Sequence, residues 1–366
     1  MGSGDFASLT IVADDLTGAC DTGAVFAGRG AVPVAVWPRV CTGDGVRAVD
    51  TETRALGAVD AAGRIGAVVG PGAHFKKIDS TLRGRIGAEV EALMSAVGAT
   101  SALLWPALPA QGRHVVDRIL TVDGVPVAET AVAQDPEFPK PAASSNVVDL
   151  LRTQLDRPIG WLPLAQVRED VDALVARLRR LAGTVLVADA ETDVDLDRLA
   201  AAAVALSPSP LLAGSAGLAE ALSRRLGLLG PRVPVPPGRR WLVVAGSRHP
   251  TTQRQVAEAR AAGLAVVAAP DVEAADRARV AVAVAATARE RLRRGEVDAV
   301  LVTGGETAVA LHAALAPERL ELLGAPLPGL ALALLRTAGY PELPVITKAG
   351  GFGPADLLVS LLGQAT

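Results

Sequence analysis

Two short stretches of this 366-residue chain concentrate the side chains that could do chemistry. In the first, residues 10–27, a strand-like run leads into the adjacent carboxylates Asp14 and Asp15. A Leu16-Thr17-Gly18 turn follows, then a small-residue helix that carries a third acid, Asp21. Acids at the carboxyl end of a strand, beside a helix N-terminus, sit where open α/β sheets place their ligands. The second stretch, KKIDSTLRGRIG at 76–87, packs two ammonium groups, an acid, two hydroxyls and two guanidiniums into twelve residues. Together they describe a site for a small, polar, anionic substrate.

A second kind of chemistry is written in three glycine-rich junctions. These are AGSRHPTT at 245–252, TGGETA at 303–308 and KAGGFGPAD at 348–356. Glycine after a strand lets the backbone approach a ligand, and a following helix N-terminus offers free N–H groups and a partial positive charge. Ser247, Thr303, Gly304, Gly305, Glu306, Thr307, Lys348, Gly350, Gly351 and Gly353 are therefore candidates for a nucleotide-phosphate site. Neither a GxxxxGK[ST] loop nor a dinucleotide-type GxGxxG is present. The similar AGSAGLAEAL at 213–222 is either a fourth anion-binding turn or a capped helix packed tightly on a strand.

The elements that must position these groups follow from pattern. Both halves alternate strand and helix, so the expected class is α/β: two domains, each a sheet flanked by helices, with an active-site cleft between them. The segment 230–240, GPRVPVPPGRR, holds four prolines and two glycines and reads as a semi-rigid linker. It divides a domain at 1–229 from one at 241–366. Strands are expected at 10–13, 32–37, 74–78, 102–105 and 185–188, with a long irregular loop at 134–145. The second domain reads as strands at 241–245, 265–269, 299–303 and 345–348, with helices at 251–262, 274–294, 307–314 and 354–362.

Composition narrows the partners. Half the residues are hydrophobic, only 3% are aromatic, and the net charge is −3 without a concentrated basic face, which argues against nucleic acid. Cys20 and Cys41 lie in no metal-like spacing and fit a reducing compartment. With no visible secretory signal and no apolar run of spanning length, a cytoplasmic protein without a membrane partner is expected. Four of the 36 basic residues are lysines (Lys76, Lys77, Lys140 and Lys348), which marks Lys77 and Lys348 as places where a compact charge is wanted. Apolar helical stretches such as 280–288 would suit a homodimer face as well as a core.

In order along the chain, DDLTGACDTGAVFA, KKIDSTLRG, ALPAQGR, GVPVAETAVAQDPEFP, AGSAGLA, GSRHPTTQRQV, TGGETA and KAGGFG resemble the four-carbon acid sugar kinase family. The resemblance spans Ile11 to Leu357. It implies ATP-dependent phosphorylation of threonate, erythronate or 3-oxo-tetronate on the terminal hydroxyl, with Mg²⁺. The N-terminal domain would bind the sugar acid and the C-terminal domain ATP. By motif, Asp14, Asp15, Lys77, Asp79, Ser80 and Arg83 would form the sugar-acid site, and Ser247, residues 304–307 and Gly350 would contact ATP. The sequence departs from the family pattern at Arg118, where a glycine is expected, at His249, and in the loop around Gly329.

On that reading Asp15 or Asp14 is the base that accepts the hydroxyl proton, the other orienting substrate hydroxyls. Asp15 could also cap the helix beginning near Leu16. Lys77 and Arg83 would hold the carboxylate. Asp79 and Ser80 would bind hydroxyls or cap a helix through Thr81 and Leu82. Glu306 is the candidate Mg²⁺ ligand, and Lys348 would neutralise β- or γ-phosphate charge. The alternatives are a non-catalytic sensor of sugar acid and nucleotide, a kinase for another small polyol acid, and a phosphosugar isomerase or lyase.

Overall fold

The computed structural model describes residues 8–135, 137–138, 144–180, 183–207, 209–247, 249–270 and 277–363. Lys140, Arg248, half of the 134–145 loop and the start of the helix expected at 274 lie outside the described residues. In chain order the strands are β1 (Ser8–Ala13), β2 (Val32–Val36), β3 (Gly45–Asp50), β4 (Ala73–Lys77), β5 (Ala102–Trp105), β6 (Arg113–Val116), β7 (Ile119–Val122), β8 (Val125–Pro126) and β9 (Ile159–Leu162). There follow β10 (Val185–Ala188), β11 (Leu211–Gly214), β12 (Trp241–Ala245), β13 (Ala265–Ala268), β14 (Ala299–Thr303), β15 (Arg319–Gly324), β16 (Leu330–Thr337) and β17 (Tyr340–Lys348).

The chain forms two compact units, one comprising the residues up to Phe26 with Val36–Leu229, the other Ala27–Ala35 with Gly230–Thr366. The break after Leu229 coincides with the start of the proline-rich segment. Nine residues near the N-terminus, however, belong to the second unit, so the linear division 1–229 and 241–366 needs that amendment. The reason is pairing: Val32 and Pro33 of β2 lie antiparallel to Leu322 and Glu321 of β15.

The first unit is built on a parallel sheet in the order β3-β1-β4-β11-β5-β10-β9. Strands such as β1, β5, β10 and β11 are short, near-continuous apolar runs, as burial on both faces demands, while β3 and β4 carry charged residues; Ile11, Val12 and Ala13 are wholly buried. The chain passes from β1 to β3 on one side and to β4 on the other. That makes β1 a topological switch point, where a crevice opens at the carboxyl ends of the strands. A small antiparallel sheet, β6-β7-β8, was not expected from the sequence.

The second unit repeats the logic. Its parallel strands run β13-β12-β14-β17, with the switch at β12, and continue antiparallel through β16, β15 and β2. Val243, Leu301, Leu332 and Ile346 form its core with Leu358 and Leu362 of the helix Leu357–Leu362. That helix starts later than the 354 expected, because Gly353 sits at φ 88° and Gln255 donates to the carbonyls of Phe352, Gly353 and Pro354.

Candidate active site

Asp14 and Asp15 leave the end of β1 directly beside the helix Leu16–Val25. Asp15 is its N-cap: Oδ1 accepts from the Gly18 N–H at 3.0 Å, and Oδ2 from the Thr17 hydroxyl at 2.6 Å. Gly18 is required there, since a Cβ would stand 2.6 Å from that Oδ1 and 3.2 Å from the Lys77 ammonium. Asp15 therefore caps the helix, and the role in the site expected of it would fall on the same side chain.

Arg54, which the sequence reading missed, organises the acids. The segment after β3 zips onto the end of β1 through Thr51 N–H to Ala13 O (2.9 Å) and Thr53 N–H to Asp14 O (3.1 Å). That delivers the Arg54 guanidinium to Asp14 as a fork (2.8 and 2.9 Å) and to Asp15 at 2.7 Å, with Asp79 4.0 Å away. Burial opposes the charge of Asp14, yet Arg54, helped by Lys76 and Lys77, holds its carboxyl below the ordinary range. The signal for Arg54 was a polar DTETR run ending an apolar strand, the same logic that marked the two aspartates.

Asp79 accepts from the Thr81 hydroxyl and N–H and from both Arg83 Nε (3.0 Å) and Nη2 (2.9 Å). Against the cost of burial, Arg83 and then Arg54 keep its carboxyl well below the usual value. Residues 79–85 form a turn, with Leu82 at φ 65°, rather than the helix start expected at Thr81; the next helix is Ile86–Val97. The Arg83 fork is thus spent on Asp79, and its Nη1 lies 3.5 Å from Asp135. Ser80 is half-buried in the same turn. Glu137, near Arg54 and Arg83, is pushed up to about 6 by burial. Burial likewise lifts Asp21 to about 6, against the pull of Lys77.

The neighbouring lysines divide their work. Lys76 is fully buried and pairs with Glu89 at 2.7 Å, a strut beneath the site. Lys77 donates to Ile78 O at 2.8 Å and lies at the crevice end of β4. In the 213–222 motif, Ser215 is wholly buried, bonds Ala107 O at 2.5 Å and accepts from Gly217 N–H. That decides the open alternative for a capped helix. Arg118 sits at φ 70°, with its N–H on Asp189 and its guanidinium 4.6 Å over Trp161. Cys20 is buried, and among the described residues no three His, Cys, Asp or Glu side chains group to hold a metal.

In the second unit β12, β14 and β17 are neighbours, so their carboxyl-end loops, the three glycine junctions, come together. Gly304 takes φ 100°, and a Cβ there would press on Ser247 at 3.3 Å. The helix Gly305–Leu315 starts with no side-chain cap and carries Thr307 and Glu306 in its first turn. The helix Pro250–Ala261 is capped by His249, whose Nδ1 accepts from Thr251 N–H at 3.2 Å; this gives the unusual histidine a local role. Thr303 and Lys348 are buried at the ends of β14 and β17. The 348–356 junction does not run directly into a helix, and its loop is held instead by Thr252 and Gln255. Its Gly350 and Gly351 close on Ser247 and His249, while Gly353 packs against Leu357.

The fold and these sites define a two-unit α/β protein with a carboxylate–guanidinium site in one unit and a glycine-loop site in the other. Residues 9–222 match a family described as a sugar-binding N-terminal domain, and 262–358 one described as a nucleotide-binding C-terminal domain. The chain is 31% identical to a D-threonate kinase of Salmonella typhimurium over 97% of both chains. It is 35% identical to one of Bordetella bronchiseptica over 96% of both. A solved structure from Salmonella typhimurium LT2 shares the fold at a TM-score of 0.81 and 22% identity, covering 98% of this chain and all of that one. The chain belongs to the four-carbon acid sugar kinase family. No described helix is long and apolar enough to cross a membrane.

Proposed function

We propose that this protein transfers the γ-phosphoryl group of ATP to the terminal C4 hydroxyl of a four-carbon sugar acid. The observation that carries the reading is the cluster of Asp14, Asp15 and Asp79 around Arg54 at the switch point of the first sheet. Such a cluster offers carboxylates to accept hydroxyl protons and cations to attract an acid. Asp14 is closed in the Arg54 fork and nearly inaccessible, so it orients. Asp15 keeps 12% of its side chain exposed against 2% for Asp14, and is the base that takes the hydroxyl proton. Lys77 and the Nη1 end of Arg83, whose Nε and Nη2 are held by Asp79, take the substrate carboxylate; Asp79 and Ser80 receive hydroxyls.

The second unit supplies the nucleotide half. Ser247, Gly304, Gly305, Thr307, Gly350, Gly351 and Gly353 lie at glycine turns where a Cβ at Gly350 or Gly353 would collide with a neighbour and where the helix Gly305–Leu315 starts without a side-chain cap among the described residues. These residues suit phosphate. Mg²⁺ would be held largely by phosphate oxygens and water, as its chemistry favours, with Glu306 reached through water. When bound, it would neutralise charge across the transferring phosphates. A reducing, cytoplasmic setting fits the two free cysteines.

The test is a coupled ADP-release assay with ATP and Mg²⁺ over D- and L-threonate, D- and L-erythronate and the 3-oxo-tetronates. One acid should turn over strongly, and Asp15→Asn should abolish turnover while ADP still binds. Silence across the panel with ATP binding intact would remove the four-carbon acids as substrates.

A further inference from the structure

Lys348 ends β17 with no exposed surface. Its ammonium donates to Ala349 O at 2.7 Å, Gly350 O at 3.3 Å and the Thr303 hydroxyl at 3.5 Å. All three acceptors are neutral, and among the described residues no carboxylate lies within ion-pair distance of it. The Thr252 hydroxyl also donates to Gly350 O. Across a trans peptide the carbonyl of one residue and the N–H of the next point in opposite directions. With the Ala349 and Gly350 carbonyls turned toward Lys348, the N–H groups of Gly350 and Gly351 are turned away from it. Neither has an acceptor among the described residues. Two successive free N–H groups on a glycine turn form a concave anion seat, and a Cβ at Gly350 would collide with the Ser247 hydroxyl beside it.

We propose that Lys348 is a positioning residue that works from behind the 349–351 turn, anchoring two carbonyls so that the Gly350 and Gly351 N–H groups face a nucleotide phosphate it does not itself touch. This rests on the nucleotide reading of the second unit. It also differs from the expectation that the ammonium neutralises β- or γ-phosphate directly. Among the described residues, those the ammonium and its turn meet are Thr303 from β14, Leu330 opposite it on β16 and Thr252 from the helix Pro250–Ala261, none of which titrates; the His249 ring lies beyond Gly351. Burial alone draws the ammonium down to about 7. The anchor therefore weakens as pH rises through neutrality. An anion seated on the turn restores the proton, so affinity falls as pH rises through that value.

The full-length protein labelled with ¹⁵N-glycine tests this. The ligand-free Gly350 and Gly351 amide signals should titrate with a midpoint near 7, and the titration should vanish in Lys348→Met. By calorimetry Lys348→Met should weaken ADP and ATP by the same factor, about tenfold for a hydrogen-bonded charged group. It should still melt as one cooperative transition, so that the loss of affinity is read on a folded protein. Glycine signals flat across pH, or a much larger loss for ATP than for ADP, would overturn the inference and leave the nucleotide site standing. A wild type that binds neither nucleotide would overturn both.

Discussion

At the scale of single residues, the acids of this protein are sorted by their surroundings. Asp14 and Asp79 face guanidiniums and stay charged, whereas Asp50, at the end of β3, has among the described residues only the Glu52 N–H on its Oδ1 (2.9 Å) and no partner on Oδ2. Burial, reinforced by the nearby charges of Glu52, Asp15 and Asp14, pushes the Asp50 carboxyl well above its ordinary value. The sign then follows from proton counting. Above about pH 4 the unfolded chain releases this proton and the folded chain retains it, so Asp50 costs stability as pH rises. Asp50→Asn, which keeps the acceptor for Glu52 and cannot ionise, should melt above wild type at neutral pH. The gap should close toward pH 4 when both are scanned by calorimetry; a gap independent of pH would mean that Asp50 is charged in the fold. Asp14, Asp15, Asp79 and Arg83 were legible because hydroxyls and charges cluster at strand ends. What pairs with what was not: Arg83 turns to Asp79 within the tight turn after β4, and Arg54 reaches the aspartates forty residues earlier because β3 lies beside β1.

At the scale of elements, the parallel strands were legible as short apolar runs, and several bounds coincide with the expected ones. The antiparallel β15-β16-β17 ribbon and the β6-β7-β8 sheet were not, because LELL and LALALLRT look like any buried run and their partners are set by turns. The β6–β7 turn shows what such a turn needs. Asp117 and Arg118 both adopt positive φ, at 50° and 70°. The fully buried Asp189 carboxylate at the end of β10 accepts from both of their N–H groups (2.8 and 3.0 Å), from Trp161 Nε1 (3.0 Å) and from Leu164 N–H (3.2 Å). Asp189→Ala strands four donors at once. Each unsatisfied buried donor costs about 1–3 kcal/mol, some of it recovered by water. The variant should lose about 3 kcal/mol or more, with amides of 113–122 exchanging faster than those of β1. Arg118→Gly should be near neutral in the same melts, because relief of about 1 kcal/mol of left-handed strain is set against the lost stacking on Trp161. A large loss for Arg118→Gly and a small one for Asp189→Ala would reverse this account of the turn.

At the scale of the whole molecule, the proline-rich segment made the boundary at 230 visible, whereas the membership of 27–35 in the second unit was invisible. AGRGAVPVA reads as an ordinary loop and strand, and only pairing with residues three hundred positions later assigns it. That membership carries a consequence for dissection. A fragment of residues 230–366 lacks β2, and the outer edge of β15, with Leu320 and Leu322 buried in the whole protein, then presents unpaired backbone groups beside apolar side chains. Such an edge invites pairing with another copy. The fragment should sediment as dimers or larger species. The same fragment with residues 27–35 attached through a long Gly/Ser linker, flexible enough to let the strand find its register, should sediment as a monomer and melt higher. A monomeric 230–366 fragment that melts no lower than the fused one would show that β2 decorates this sheet instead of completing it. In that case the second unit's strands would close their own edge, and the linear boundary expected from the sequence would be the physical one.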